Sequence, residues 1–341
     1  MDQLVNKKLE ILEIGKIPNT LLQALVLDKI KIKNSDVVVN PGIGEDCCAL
    51  DFGEYLCVMS TDPITGTAAE VGRLAVHISC NDIASCGIKP VGLMVTILAP
   101  KGTTAQDLET VSDQLNNAAN ELNIDIIGGH TEVTNAVNRF VLISMAVGKV
   151  KKGEMVTTAG AKLGDDIVMT KGVGIEGTAI IAYEKQNELI SVLGSDRLDK
   201  AKSFMNMLSV VSEGLICGHF GVNSMHDVTE GGLLGAVWEV CEASGKGAEI
   251  YEDKILISEE TTMICNHYNI NPLKLISSGC MLITCKNGKD LVDKLREQEI
   301  DAAVIGKIVK TGCFLIDSKN SKKTISQPES DDLYKVLGQF E

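Results

Sequence analysis

Three aspartates in the first half of the chain occupy places where a carboxylate could reach a ligand. Asp46 closes the segment Pro41-Gly42-Ile43-Gly44-Glu45-Asp46. Its glycines let the backbone approach a ligand and turn amides toward an anion, while the acids can hold a cation. A tight turn with solvated acids would use the same residues. Asp62 follows the apolar run YLCVMST in Ser60-Thr61-Asp62-Pro63, which places it at a sheet edge or as a helix cap. Asn81-Asp82 interrupts an apolar helical stripe. Aspartate is a poor helix former, and a charge on a buried helix needs a partner, an ion pair or a metal. A fourth segment, Gly128-Gly129-His130-Thr131-Glu132, follows the strand-like IDII. It offers close backbone approach, an imidazole, a hydroxyl and a carboxylate, more than a hairpin turn requires.

One chemistry uses all of these together. Mg²⁺ prefers hard carboxylate oxygens and keeps part of its shell for water and phosphate, so separate acids could gather a metal that holds a triphosphate. Phosphoryl transfer then depends on positioning and charge neutralisation. The chain has neither a GxxxxGK[ST] loop nor a kinase catalytic-loop signature, so an ATP site here would use another cradle.

The elements that must position these residues follow from periodicity. Apolar spacing predicts helices over 4–14 and 18–29, the second begun by Pro18. Strands are expected at DVVVN, at 55–61, at 91–99, at IDIIGG and at FVLISMAVGKV, with helices over 69–87 and 104–122. This order fits an α+β layer with helices on one face of a sheet. Composition turns polar and glycine-rich near residue 150, which sets two units, 1–150 and 151–341. In the second, strands are expected at IVMT, VNSMHDV, CMLITC and AAVIGKIV. Helices are expected over 176–186, onward to about 219, over 233–244 and over 290–298, with a polar surface tail after 317.

The bulk numbers exclude several classes. The 341 residues are 45% hydrophobic and 23% charged, ordinary for a globular protein. A net charge of −14 and 4% aromatics argue against a nucleic-acid partner. No stretch has the length of a membrane span, and the first residues do not resemble a signal peptide, so no membrane partner is expected. The 11 cysteines include no CxxC, and many sit in apolar runs (Cys57, Cys80, Cys265, Cys280), as buried thiols of a cytoplasmic protein would. The pair Cys47-Cys48 stands apart because it follows the glycine-rich acidic loop.

The ordered set GIGEDCCAL, STDP, GRLAVHISCNDIASCGIKPVG, GGHTEV, TKGVGIEGTAI and HDVTEGGLLGA resembles the AIR synthase-like superfamily over roughly residues 15–310. That resemblance implies an α+β, two-domain AIR synthase-like fold. The N-terminal ATP-binding and dimerisation domain would form a dimeric β-barrel, and the C-terminal domain an α/β sandwich. It implies ATP and Mg²⁺ as cofactors, with Asp46, Asp62, Asp82 and Asp227 as metal and phosphate ligands. Asp62, Asp82, His130 and Asp227 are the implied catalytic set. Lys16, Gly42, Gly44, Thr61, Asn81, Gly128, Gly129, Thr131, Glu132, Gly231 and Gly232 would line the nucleotide site. Ser277-Ser278-Gly279 is similar to a late loop near the reacting phosphate.

NDIA, EGTAI and DVTEGGL are most similar to the hydrogenase-maturation branch, HypE-like. This implies a homodimer that activates an oxygen of a small or peptidyl acceptor by phosphoryl transfer, with a maturation-type protein partner. Members of that branch carry a C-terminal cysteine, whereas the sequence here ends Leu337-Gly338-Gln339-Phe340-Glu341 with its last cysteine at Cys313. Alternatives are a small-molecule kinase or synthetase of the thiamine-monophosphate kinase or AIR synthase type, and a non-catalytic nucleotide-binding regulator.

Overall fold

The computed structural model describes residue 12 and residues 15–65, 70–328 and 330–338. The helix expected over 4–14 lies outside these, apart from Leu12. Helix α1 (Asn19–Leu25) starts directly after Pro18, as the proline predicts. Six strands follow: β1 (Val37–Val39), β2 (Cys48–Phe52), β3 (Tyr55–Ile64), β4 (Pro90–Pro100), β5 (Asp125–Thr134) and β6 (Val141–Lys151). They form one sheet in the order β1-β2-β3-β6-β4-β5, antiparallel except where β4 meets β5. Helices α2 (Val71–Ser85) and α3 (Ala105–Leu122) pack on it. A Thr104–Asp107 capping box starts α3, and Asn123 in the left-handed region ends it.

The second sheet contains β7 (Asp166–Thr170), β8 (Ser224–Asp227), β9 (Gly247–Tyr251), β10 (Met281–Cys285), β11 (Ala302–Val309), β12 (Cys313–Ile316) and β13 (Lys322–Thr324). Its order is β13-β12-β9-β11-β7-β10-β8. Around it lie α4 (Ile175–Glu184), α5 (Gln186–Leu193), α6 (Ser195–Ser203), α7 (Val211–Phe220), α8 (Gly232–Ser244), α9 (Glu259–Tyr268), α10 (Gly288–Arg296) and α11 (Leu333–Leu337). The architecture is α+β, with two mixed layers of sheet and helix. No helix among the described residues is long and apolar enough to cross a membrane.

Two expectations need correction. The tail after 317 is not a surface decoration: Leu333, Val336 and Leu337 are buried in the main core. Just before them Asp331, 3% exposed, accepts from the backbone amides of Gly231, Ile276 and Leu333. Five residues of amphipathic helix are too few for a periodic signal. The strands at GGHTE and STDP also run further than expected, because pairing with neighbouring strands carries them through the polar residues.

Helix α2 joins the two halves. Every residue of it except Arg73 is buried. It packs on β3 and β6 of the first sheet and on α7 and β8 of the second half. At Gly214 of α7 an added Cβ would lie 2.2 Å from the Ala84 carbonyl oxygen, so only glycine allows this approach. Asn81 completes the junction: its Nδ2 donates to the Leu208 carbonyl at 2.8 Å, and its Oδ1 accepts from the Val210 amide at 2.9 Å. Asn81→Leu keeps the volume and strands both backbone groups, each worth on the order of 1–3 kcal/mol when buried unpaired. We expect urea unfolding to show a loss of roughly 2–5 kcal/mol; a change within measurement error would refute the clamp.

Candidate active site

A cleft of about 1100 Å³ opens between the two halves. Lys16, Gly42, Gly44, Asp46, Thr61, Asp62 and Asp82 all line it, so seven residues chosen from the sequence converge there. Each arrives by a different local route. Gly42 and Glu45 close a narrow bridge, and Gly44, with φ +78°, packs where a side chain would press on the Glu239 carbonyl of α8. Asp62 lies inside β3, opposite Ser144 of β6, instead of beyond the strand end. Asp82 faces the cleft from α2.

The electrostatics are unusual. Asp82 is 4% exposed and accepts from the Ser60 hydroxyl. Burial first, then the charges of Asp62 and Asp227 and a hydrogen bond shared with Asp62, push its carboxyl well above the ordinary range. Asp227 ends β8 just behind the lining, 1% exposed, and burial together with the Asp46 charge pushes it up to about 8. Its Oδ2 atom has no hydrogen-bond partner. Ligand atoms of Asp46, His226 and Asp227 lie within 4.8 Å of one another. Carboxylates that repel one another around an orphaned buried oxygen fit a hard divalent cation. His226 does not fit as its ligand, because both ring nitrogens already face carboxylates.

That histidine belongs to a chain of contacts absent from the sequence reading. His226 Nδ1 lies 2.8 Å from Asp46 Oδ2, and its Nε2 lies 3.0 Å from Glu239 Oε2. Glu239 Oε1 in turn accepts from Lys16 Nζ at 2.8 Å. Burial disfavours charge on His226 and on Glu239, but their mutual pairing wins: the imidazole is held well above its ordinary pKa and Glu239 drops to about 2. Imidazolium therefore orients Asp46. Glu239 carried a signal like that of Asp82, an acid between apolar residues in the helix LLGAVWEVCEAS. Arg139, Glu176 and Glu230 also line the cleft unanticipated.

Other expected residues go elsewhere. Asn81 turns away to the clamp described above. None of Gly128, Gly129, His130, Thr131 and Glu132 lines the cleft of its own chain. All five lie on β5, an edge strand, with the His130 side chain 65% exposed and 3.4 Å from Glu132. The close approach at Gly129 (φ +150°) is to β4, since a Cβ would meet the Val95 carbonyl at 1.8 Å. Gly231 and Gly232 open α8, but the Asp331 carboxylate takes the Gly231 amide at 2.7 Å, and Gly232 is pressed against Leu273 and Leu275. Cys47 is buried and donates its thiol to the Asp82 carbonyl, so its role here is in packing behind the cleft.

Family models for AIR synthase related proteins match the chain twice, the N-terminal domain over residues 44–150 and the C-terminal domain over 162–317. A Methanocaldococcus jannaschii protein named for hydrogenase expression/formation is 30% identical over 305 residues, 86% of this chain and 88% of its own length. The chain belongs to the AIR synthase-related family. The carbamoyl dehydratase HypE of Cupriavidus necator is 28% identical over 235 residues, 67% of this chain and 65% of the relative. Among solved structures, a HypE–HypF complex superposes with TM-score 0.76 at 21% identity, covering 90% of this chain and 99% of that one. HypE in complex with ATP gives TM-score 0.67 at 19% identity, covering 92% and 95%.

The raised carboxyl of Asp227 has a consequence for stability. Its ordinary value is 3.8, so between about pH 4 and 8 the folded chain holds a proton that the unfolded chain has lost. Cation-free protein should lose stability as pH rises through that window, by up to ~1.4 kcal/mol per unit from this group, and Asp82 acts with the same sign. Asp227→Asn should flatten the slope in denaturation series at pH 5, 6.5 and 8. An unchanged slope would mean that Asp227 does not hold the proton.

Proposed function

We propose that the chain is a Mg-ATP-dependent enzyme that activates an oxygen of a small or peptidyl acceptor by phosphoryl transfer, similar in kind to the hydrogenase-maturation relatives. The observation that carries this reading is the convergence of Asp46, Asp62, Asp82 and Asp227 from separate elements on one cleft. The ATP complex of a similarly folded HypE supports nucleotide as the occupant.

In this reading the four aspartates would hold Mg²⁺, which when bound supplies the positive charge that neutralises the phosphates. Gly42 and Gly44 let the backbone come close to phosphate oxygens. Lys16 and Arg139 add positive charge to the same cleft. His226 and Glu239 keep Asp46 and Lys16 in place, which is the positional work phosphoryl transfer needs. The HypE–HypF complex supports a maturation-type protein partner. Eleven free cysteines suit a cytoplasmic setting.

The same reading includes a homodimer, supported by β5. This ten-residue edge strand is exposed on both faces along nearly its whole length. Ile127 and Val133 are 59% and 60% exposed, beside Val91 and Met94 of β4 at 57% and 42%. An open apolar edge of this length is an aggregation hazard unless another chain covers it. A second copy would bring the Gly128–Glu132 segment into an assembly in which it could serve a nucleotide site.

Binding of a non-hydrolysable ATP analogue should require Mg²⁺ and vanish in EDTA. Asp62→Asn and Asp82→Asn should each reduce Mg-dependent ATP turnover at least a hundredfold while the fold is retained. Saturable ATP binding without turnover on any acceptor would favour a regulatory protein instead. Sedimentation should show a dimer that Ile127→Arg converts to monomer; a wild-type monomer at micromolar concentration removes the dimer from the reading.

A further inference from the structure

Part of the cleft wall carries chemistry that the four aspartates do not use. Glu176, in the first turn of α4, lines the cleft with its side chain 5% exposed and its Oε2 atom without a hydrogen-bond partner. A helix N-terminus welcomes an acid, but an exposed carboxylate would serve that purpose without being stripped of water. Glu230 lines the same wall and accepts from the Tyr334 hydroxyl at 2.8 Å. Asp331 lies behind them, its oxygens occupied by three backbone amides. Burial pushes the Glu176 carboxyl up to about 7; Ser278 hydrogen-bonds it and favours the charge, while Asp331 and Glu230 oppose it. Lys16 is held by Glu239 at 2.8 Å and also feels the Glu230 charge, but it is not among the groups that offset charge on Glu176.

The surroundings of Glu176 are those of an organic group. Ile180, Ile276, Leu333 and the Tyr334 ring share the wall. A small metal ion would call for more oxygen ligands than Glu176 and Glu230 supply, whereas an alkyl cation would use both the acids and the apolar flank.

We propose that this wall is the acceptor subsite and that it takes a cationic nitrogen group, an ammonium or amidinium, between Glu176 and Glu230, while turning away acceptors that lead with a phosphate. The acceptor role rests on the reading that nucleotide occupies the aspartate end of the cleft; the cation site itself does not.

The test uses the full chain and small probes followed by ligand-observed NMR. Acetamidinium and n-butylammonium should bind at least tenfold more tightly than the neutral acetamide and n-butanol, and ethyl phosphate should not displace them. Glu176→Gln should weaken both cations at least tenfold, with ATP-analogue affinity changed less than twofold. That substitution removes a buried charge that desolvation and the neighbouring acids oppose, so the fold should persist, and circular dichroism checks it. The wild-type cation-over-neutral preference is measured without any variant. Equal binding of charged and neutral probes, or equal binding by wild type and Glu176→Gln, overturns the proposal. If the ATP analogue binds and the cations do not, the subsite falls and the nucleotide reading stands. If the cations bind and the analogue does not, the cation site stands and the nucleotide reading falls.

Discussion

Burying Asp82 in the last turn of α2 costs free energy that only close polar partners or a cation can offset. Its immediate partners are few: the Ser60 hydroxyl and a proton shared with Asp62. Both come from β3, so that strand must lie directly beneath the helix. Asp227 comes from the other sheet, and it can stand near Asp82 only because α2 packs on β8 and α7 as closely as on β3 and β6. The glycine at 214 and the Asn81 clamp permit that closeness. Much of the architecture thus supports one arrangement of acids that would repel one another if nothing were bound between them.

The link from Lys16 through Glu239 and His226 to Asp46 performs a different task. It draws on four separate stretches of chain: the segment before α1, α8, β8 and the glycine-rich loop. Each charged group in it has an opposite charge within 3.0 Å, and all but Lys16 are buried or half-buried. Such a chain contributes little net stability, since desolvation consumes much of the Coulomb gain. Its effect is geometric: the imidazolium fixes which way Asp46 points, and Glu239 ties the N-terminal segment to the cleft rim.

Strand β5 shows that a motif can be where the sequence suggests and still serve another purpose first. Gly129 is required by the distance to β4 whatever else it does. The residues beside it remain exposed within one chain, so any part they play at a nucleotide depends on assembly.

The convergence of Asp46, Asp62 and Asp82 on one cleft was legible in the sequence, because a carboxylate inside an apolar helix or beside paired glycines departs from local preference and so announces itself. Periodicity likewise located α2, α3 and five of the six strands of the first sheet, missing β2. The short tail helix, β9, β12 and α9 were not legible, since segments of four to ten residues carry too few apolar repeats. Nor could the sequence reveal that Asn81 clamps a loop, that Asp331 occupies the start of α8, or that His226 joins Asp46 to Glu239. Those roles depend on residues 13 to 180 positions away, and only the packed structure brings such partners within hydrogen-bond distance.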